Sequence, residues 1–288
     1  MIEAIGVALP RRSRIAAVFL LLASFAFSYY GVIAGLVNDW TIDENYSHGF
    51  LILPIALYFV WERRSRLALA QLRPSLLGLV VILGSIAMLL AGVLGSELFL
   101  TRVSILGTIA GAVLFICGRH HLKILIFPIS FLLLMIPIPA IIFNQIAFPL
   151  QLVASRFGEL VLSGAGIPVL REGNVIQLAN TSLEVAEACS GIRSLISLLT
   201  LGIIYGYFTD ARIWARSALA LATIPVAILA NGLRVAGTGV AAHRFGPEAA
   251  QGFFHTFSGW LIFVIAFLML FVLQHLIQWL VPVSRRKT

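Results

Sequence analysis

The sequence predicts an all-α membrane protein with about eight transmembrane helices, an interfacial helix and a small β-hairpin-like segment on the outer face. Three observations carry this. Apolar residues make up 60% of the 288-residue chain and charged ones only 11%, well past the balance of a soluble domain. Mean hydropathy is +1.01. The apolar runs are long enough to cross lipid and are separated by short arginine clusters, which is how membrane topology is written.

The net charge of +8 does not point to nucleic acid, because the cations sit in the connectors rather than on one continuous surface. Two cysteines, Cys117 and Cys189, make no disulfide framework, and the topology puts them at opposite membrane faces, so both are expected as free thiols. A single polytopic domain over 1–288 is expected, with no internal repeat and no low-complexity tract.

The expected spans are 15–37, 50–61, 76–94, 103–117, 124–137, 190–208, 217–236 and 255–281. The first follows Arg11, Arg12 and Arg14 and lacks a clear small-residue cleavage site, so it reads as an uncleaved span. The second is short and closes on Arg63, Arg64, Arg66 and Arg73; the fourth leads to Arg119 and Lys123. Pro137 and Pro139 end the fifth, and Pro128 kinks it.

Residues 140–188 form the largest insertion between spans. Asn144, Gln151, Ser155 and Glu159 recur at helical spacing on an apolar background, which predicts a helix lying in the membrane interface. From Ile167 to Ala188 the chain is rich in Val, Ile and Leu, with Glu172-Gly173-Asn174 and Ala179-Asn180-Thr181 as turns, so two or three short strands are expected.

In this layout 14 of the 20 lysines and arginines fall on one side, which makes both termini cytoplasmic. The other six, Arg102, Arg156, Arg171, Arg193, Arg234 and Arg244, lie at or near the outer face, an excess that asks for a reason.

Glu184 to Leu195, EVAEACSGIRSL, passes from a polar stretch into an apolar run, with Cys189 at the border. A thiol at the start of a helix lies near unpaired backbone N–H groups and the positive end of the macrodipole, both of which favour a thiolate. A buried structural thiol is the alternative. By topology Cys189 opens the sixth span, Arg234 lies near the outer end of the seventh and His255 opens the eighth, so the three converge at one depth. An arginine inside an apolar span costs about 2.5–3.5 kcal/mol, which reads as an interior or functional charge; snorkelling to headgroups is its rival. Thiolate, guanidinium and imidazole together suit acyl transfer, as nucleophile, oxyanion partner and proton carrier. Asn231 lies about one turn before Arg234 and Arg193 about one turn after Cys189, as supporting groups. His48 competes with His255 for the base, and His243 is a weaker competitor. No metal or other cofactor is expected.

Tyr46-Ser47-His48-Gly49-Phe50 ahead of a short span ending in Trp61, then Ala188-Cys189-Ser190-Gly191-Ile192-Arg193, Asn231-Gly232-Leu233-Arg234 and the later His255 closely resemble the exosortases. These are bacterial multi-spanning transpeptidases that process exported proteins bearing a C-terminal PEP-CTERM signal. The resemblance implies the catalytic set Cys189, Arg234 and His255, a thioester intermediate, an active site on the periplasmic side of the inner membrane, and PEP-CTERM proteins and membrane lipids as partners. It also suggests a groove built from the strands before Cys189 and the interfacial helix, with the signal segment adding as an edge strand. The competing classes are a transporter or channel for an anionic solute, against which stand the lack of an inverted repeat and the superfluous Cys189, and a non-catalytic assembly scaffold.

Overall fold

In lipid a chain must satisfy its backbone groups internally, so the apolar runs fold as helices. A computed structural model describes residues 11–43, 45–179, 181–185, 192–210, 212–246 and 253–281. Its contacts separate the chain into two compact units, Met1–Pro139 and Ala140–Thr288.

The first unit comprises α1 (Arg11–Ile42), α2 (Gly49–Glu62), α3 (Arg64–Leu69), α4 (Leu77–Leu94), α5 (Leu98–Ile116) and α6 (Arg119–Phe131), followed by a 3-10 turn over Leu132–Met135. The helices α4 and α5 form a close hairpin in which Gly78 abuts Phe115, Gly92 abuts Thr101 and Gly111 abuts Ile82; small residues let helix backbones approach in lipid. Tyr29 of α1 joins this pair, its hydroxyl 2.7 Å from Thr108 Oγ1 and bonded to Ser104.

The second unit comprises α7 (Ala140–Gly164), the strands β1 (Val169–Glu172), β2 (Val175–Leu178) and β3 (Ser182–Glu184), then α8 (Ile192–Thr209), α9 (Ile213–Phe245) and α10 (Phe253–Leu280). The strands form one antiparallel sheet in chain order, Ile176 pairing with Arg171 on one side and with Leu183 on the other. This is the stranded segment expected before Cys189, with its first turn at Gly173 (φ 65°).

Among the described residues six helical segments are long and apolar enough to cross a membrane: Phe19–Ile42, Leu77–Leu94, Leu98–Ile116, Ala140–Gly164, Ile213–Phe245 and Gly259–Leu280. Two shorter apolar helices are Gly49–Glu62 and Leu195–Thr209. The set differs from the sequence expectation at two places. The run at 124–137 does not make a full span: α6 has 13 residues and tightens into the 3-10 turn ahead of Pro137 and Pro139. Conversely α7, expected in the interface, has a span's length and lies beside α9. Phe157 meets Gly232, Gly158 meets Val235 and Leu162 meets Gly239, so the two helices run in the same direction.

Three of the four polar residues of the expected stripe on α7 are accounted for by the sheet, while Asn144 is exposed. Ser155 Oγ donates to the Gly173 carbonyl at 3.0 Å, Glu159 pairs with Arg171 at 2.9 Å, and Gln151 Oε1 accepts from Asn174 Nδ2 at 3.3 Å. Beneath these bonds Ala154, Leu162, Ile176, Leu178 and Val185 pack with Val235 and Ala242 of α9 in one core. A stripe that looks like an interfacial face from sequence is therefore a seat for the sheet.

The opposite end of the second unit is also tied. The Asp210 carboxylate, buried at the α8–α9 turn, accepts from Arg212 through Nε (2.9 Å), Nη2 (2.6 Å) and backbone N (2.9 Å). Arg212 Nη1 also donates to the Val281 carbonyl, and Gln278 Nε2 donates to the Thr209 carbonyl at 2.9 Å. These bonds fix the end of α10 against the α8–α9 connection. Arg212 holds the Asp210 carboxyl below the usual carboxylate range.

Candidate active site

Two helix registers decide what lies together in the second unit. Along the α8–α9 hairpin, Gly206 faces Arg216 and Gly202 faces Thr223. Between α9 and α10, the guanidinium of Arg234 lies against Gly259: a Cβ placed there would stand 3.3 Å from Nη2 and 3.5 Å from Cζ. Arg234 of α9 therefore meets α10 within its first two turns, and because α9 continues to Phe245, Arg234 lies about three turns inside the helix rather than near its outer end as the sequence suggested.

The expected site residues of the second unit other than Cys189 fall on these helices. Arg234 is partly buried on α9 and reaches across to α10. Asn231, 4% exposed, sits about one turn earlier on the same helix. His255 belongs to the first turn of α10, four residues before Gly259 and hence on the same face of that helix. Arg193 belongs to the first turn of α8. Cys189 lies outside the described residues, four after Val185 and three before Ile192.

Two contacts that sequence reasoning did not single out shape the surroundings of Arg234. Gly232 receives the ring of Phe157 from α7, where a Cβ would stand 2.6 Å from Cδ1. The ring fills the space beside the turn that carries Asn231 and Arg234. Gly259 does the corresponding work on α10, since a side chain larger than a methyl there would displace the guanidinium. A small residue one helical turn after His255, in Phe257-Ser258-Gly259-Trp260, was the available signal.

His48 is part of the first unit. Its Nε2 stands 3.1 Å from the Leu134 carbonyl, next to two similar ties: Trp40 Nε1 donates to the Met135 carbonyl at 2.9 Å, and the Tyr46 hydroxyl accepts from Ile138 N at 3.1 Å. Together they brace the turn that closes α6. Burial lowers the His48 pKa below its ordinary value, opposed by the Leu134 carbonyl, and burial raises that of Tyr46.

The sequence model of the transmembrane exosortase family matches residues 40–272, which takes in every residue of the candidate site. The chain belongs to the exosortase family. No curated protein and no solved structure is significantly similar to it. As an exosortase it is a multi-pass membrane protein of a transpeptidase family that acts on proteins carrying a sorting signal.

Family membership and packing together explain much of the arginine excess of this exosortase. Arg102, only 4% exposed, pairs with Asp39 at 2.7 Å. Arg171 pairs with Glu159 and helps hold the sheet. Arg234 instead reaches helix α10 at Gly259. Arg156 and Arg244 are exposed. Among the described residues no cluster of His, Cys, Asp and Glu has metal-binding geometry.

Proposed function

We propose that this exosortase is a cysteine transpeptidase that cleaves the C-terminal PEP-CTERM sorting signal of exported proteins. The site works on the periplasmic side of the bacterial inner membrane, with both termini cytoplasmic. The Cys189 thiolate attacks the scissile carbonyl, and Arg234 stabilises the oxyanion that forms. As the carbon–nitrogen bond breaks, His255 gives a proton to the departing amine, leaving a thioester on Cys189. His255 then takes a proton from the acceptor nucleophile, which attacks the thioester and releases the thiolate.

The observation that carries this reading is the contact of Arg234 with Gly259, one turn beyond His255. It brings Arg234 to the helix that carries His255. Contour length supplies a bound for the third: at about 3.6 Å per residue, Cys189 is within about 14 Å of Val185 and about 11 Å of Ile192. Val185 is buried in the core shared with α9, and Ile192 opens α8. Arg193, in the same first turn of α8, lowers the thiol pKa by its charge. Asn231 orients Arg234 from the preceding turn, and His48 stands as the alternative proton carrier.

The test is co-expression with a PEP-CTERM protein followed by intact-mass analysis. The wild type yields processed substrate and a trapped acyl adduct on Cys189; Cys189→Ala yields full-length substrate and no adduct. Processing by Cys189→Ala at the wild-type rate overturns the proposal.

A further inference from the structure

The hydrogen-bond register of the small sheet shows which backbone groups it leaves outward. Leu178 N donates to the Thr181 carbonyl at 2.8 Å, and Val185 N donates to the Asn174 carbonyl at 2.9 Å. These mark 178 with 181 and 174 with 185 as hydrogen-bonded pairs on either side of Ile176 with Leu183. In an antiparallel ladder such pairs alternate with non-bonded ones. Thr181, Leu183 and Val185 therefore turn their backbone groups towards β2, while Ser182 and Glu184 turn theirs away from the sheet. Both outward residues are exposed, and β3 pairs only with β2 among the described residues.

This edge is rigidly held. Val185 is 2% exposed within the core that includes Val235 and Ala242 of α9. The sheet is tied to α7 by the Ser155, Glu159 and Gln151 contacts. The chain then leads from Glu184 to Cys189 in five residues.

We infer that the outward edge of β3, through the backbone groups of Ser182 and Glu184, binds the extended substrate segment beside the scissile bond as a fourth strand. This rests on the transpeptidase reading of Cys189 above. A peptide must be extended for a nucleophile to reach its carbonyl, and edge pairing is a general way to hold it so. The length of the edge fits this occupant. Two residues offer only two donors and two acceptors, too few to retain a partner alone, and short edges resist permanent association between copies. A membrane-anchored substrate needs no more, because its own helix already confines it to the bilayer.

The experiment is a cysteine cross-linking scan. Ser182→Cys or Glu184→Cys is placed in the full-length Cys117→Ser, Cys189→Ala enzyme, and co-expressed with substrates carrying single cysteines along the segment preceding their membrane helix. Strand pairing gives cross-links at every second substrate position. Uniform cross-linking, no cross-linking, or cross-links between two enzyme copies overturns the inference. In parallel, with Cys189 intact, Glu184→Pro removes one outward N–H and is expected to lower processing about tenfold, near the upper value of one backbone hydrogen bond. Glu184→Gln keeps that N–H and is expected to process faster than Glu184→Pro, while membrane yield and melting temperature report folding of each variant. If Glu184→Pro folds and processes normally, the inference falls. Processing by Cys189→Ala would instead remove the transpeptidase reading itself, so the two failures are distinguishable.

Discussion

The guanidinium of Arg234 lies on the backbone of α10 at Gly259, with Nη2 3.3 Å from where a Cβ would stand. The glycine sets how far the charge crosses from α9 and keeps it one turn from His255.

Gly259→Ala asks the guanidinium to give by a few tenths of an ångström, which a flexible side chain absorbs. Gly259→Leu fills the space and moves it away. Alanine is therefore expected to leave processing within a few-fold of wild type, and leucine to abolish it with the chain still inserted and folded. Processing rate against membrane yield for the two variants checks this; equal activity of the leucine variant would separate Arg234 from the chemistry.

The Arg102–Asp39 pair makes a prediction for the first unit. Removing the Asp39 charge leaves a buried guanidinium unmatched, a loss of about 3–5 kcal/mol for a fully buried pair and less here because Asp39 is partly exposed. Asp39→Asn should lower the melting temperature in detergent clearly. Asp39→Asn combined with Arg102→Met should recover much of that loss, since the unpaired charge is gone.

His48 predicts a pH dependence. Its folded-state pKa lies below the ordinary value because burial disfavours the imidazolium. The unfolded chain then binds the proton more readily, so stability from this group is complete above the ordinary histidine pKa of about 6.5 and declines as pH falls below it. Melting temperatures at pH 7.5 and 5.5 should differ more for wild type than for His48→Gln, which keeps a side-chain N–H donor for the Leu134 carbonyl without titrating.

Much of this was legible in the sequence because hydropathy and arginine placement are strong local signals. The helices and the three strands before Cys189 follow from them. What hydropathy could not reveal was partnership. The spacing of Gln151, Ser155 and Glu159 is the same for a face turned to headgroups and a face turned to a sheet, and only the Gly173 and Arg171 contacts decide between them. Likewise α6 is apolar enough to suggest a span, yet Pro137 and Pro139 stop it early. Gly259 left only a faint mark in the sequence, because its importance lies in a side chain arriving from another helix.

The central claim is that the sulfur of Cys189 comes to the same place as Arg234 and His255. The direct measurement is thiol-to-thiol cross-linking within the full-length chain, with His255→Cys in a Cys117→Ser background and a short bifunctional thiol reagent applied in native membranes. The account predicts rapid cross-linking of Cys189 to the new cysteine at 255, and little to a cysteine placed at Leu276 near the far end of α10. Absence of the first cross-link, with both thiols shown to be reactive, contradicts it.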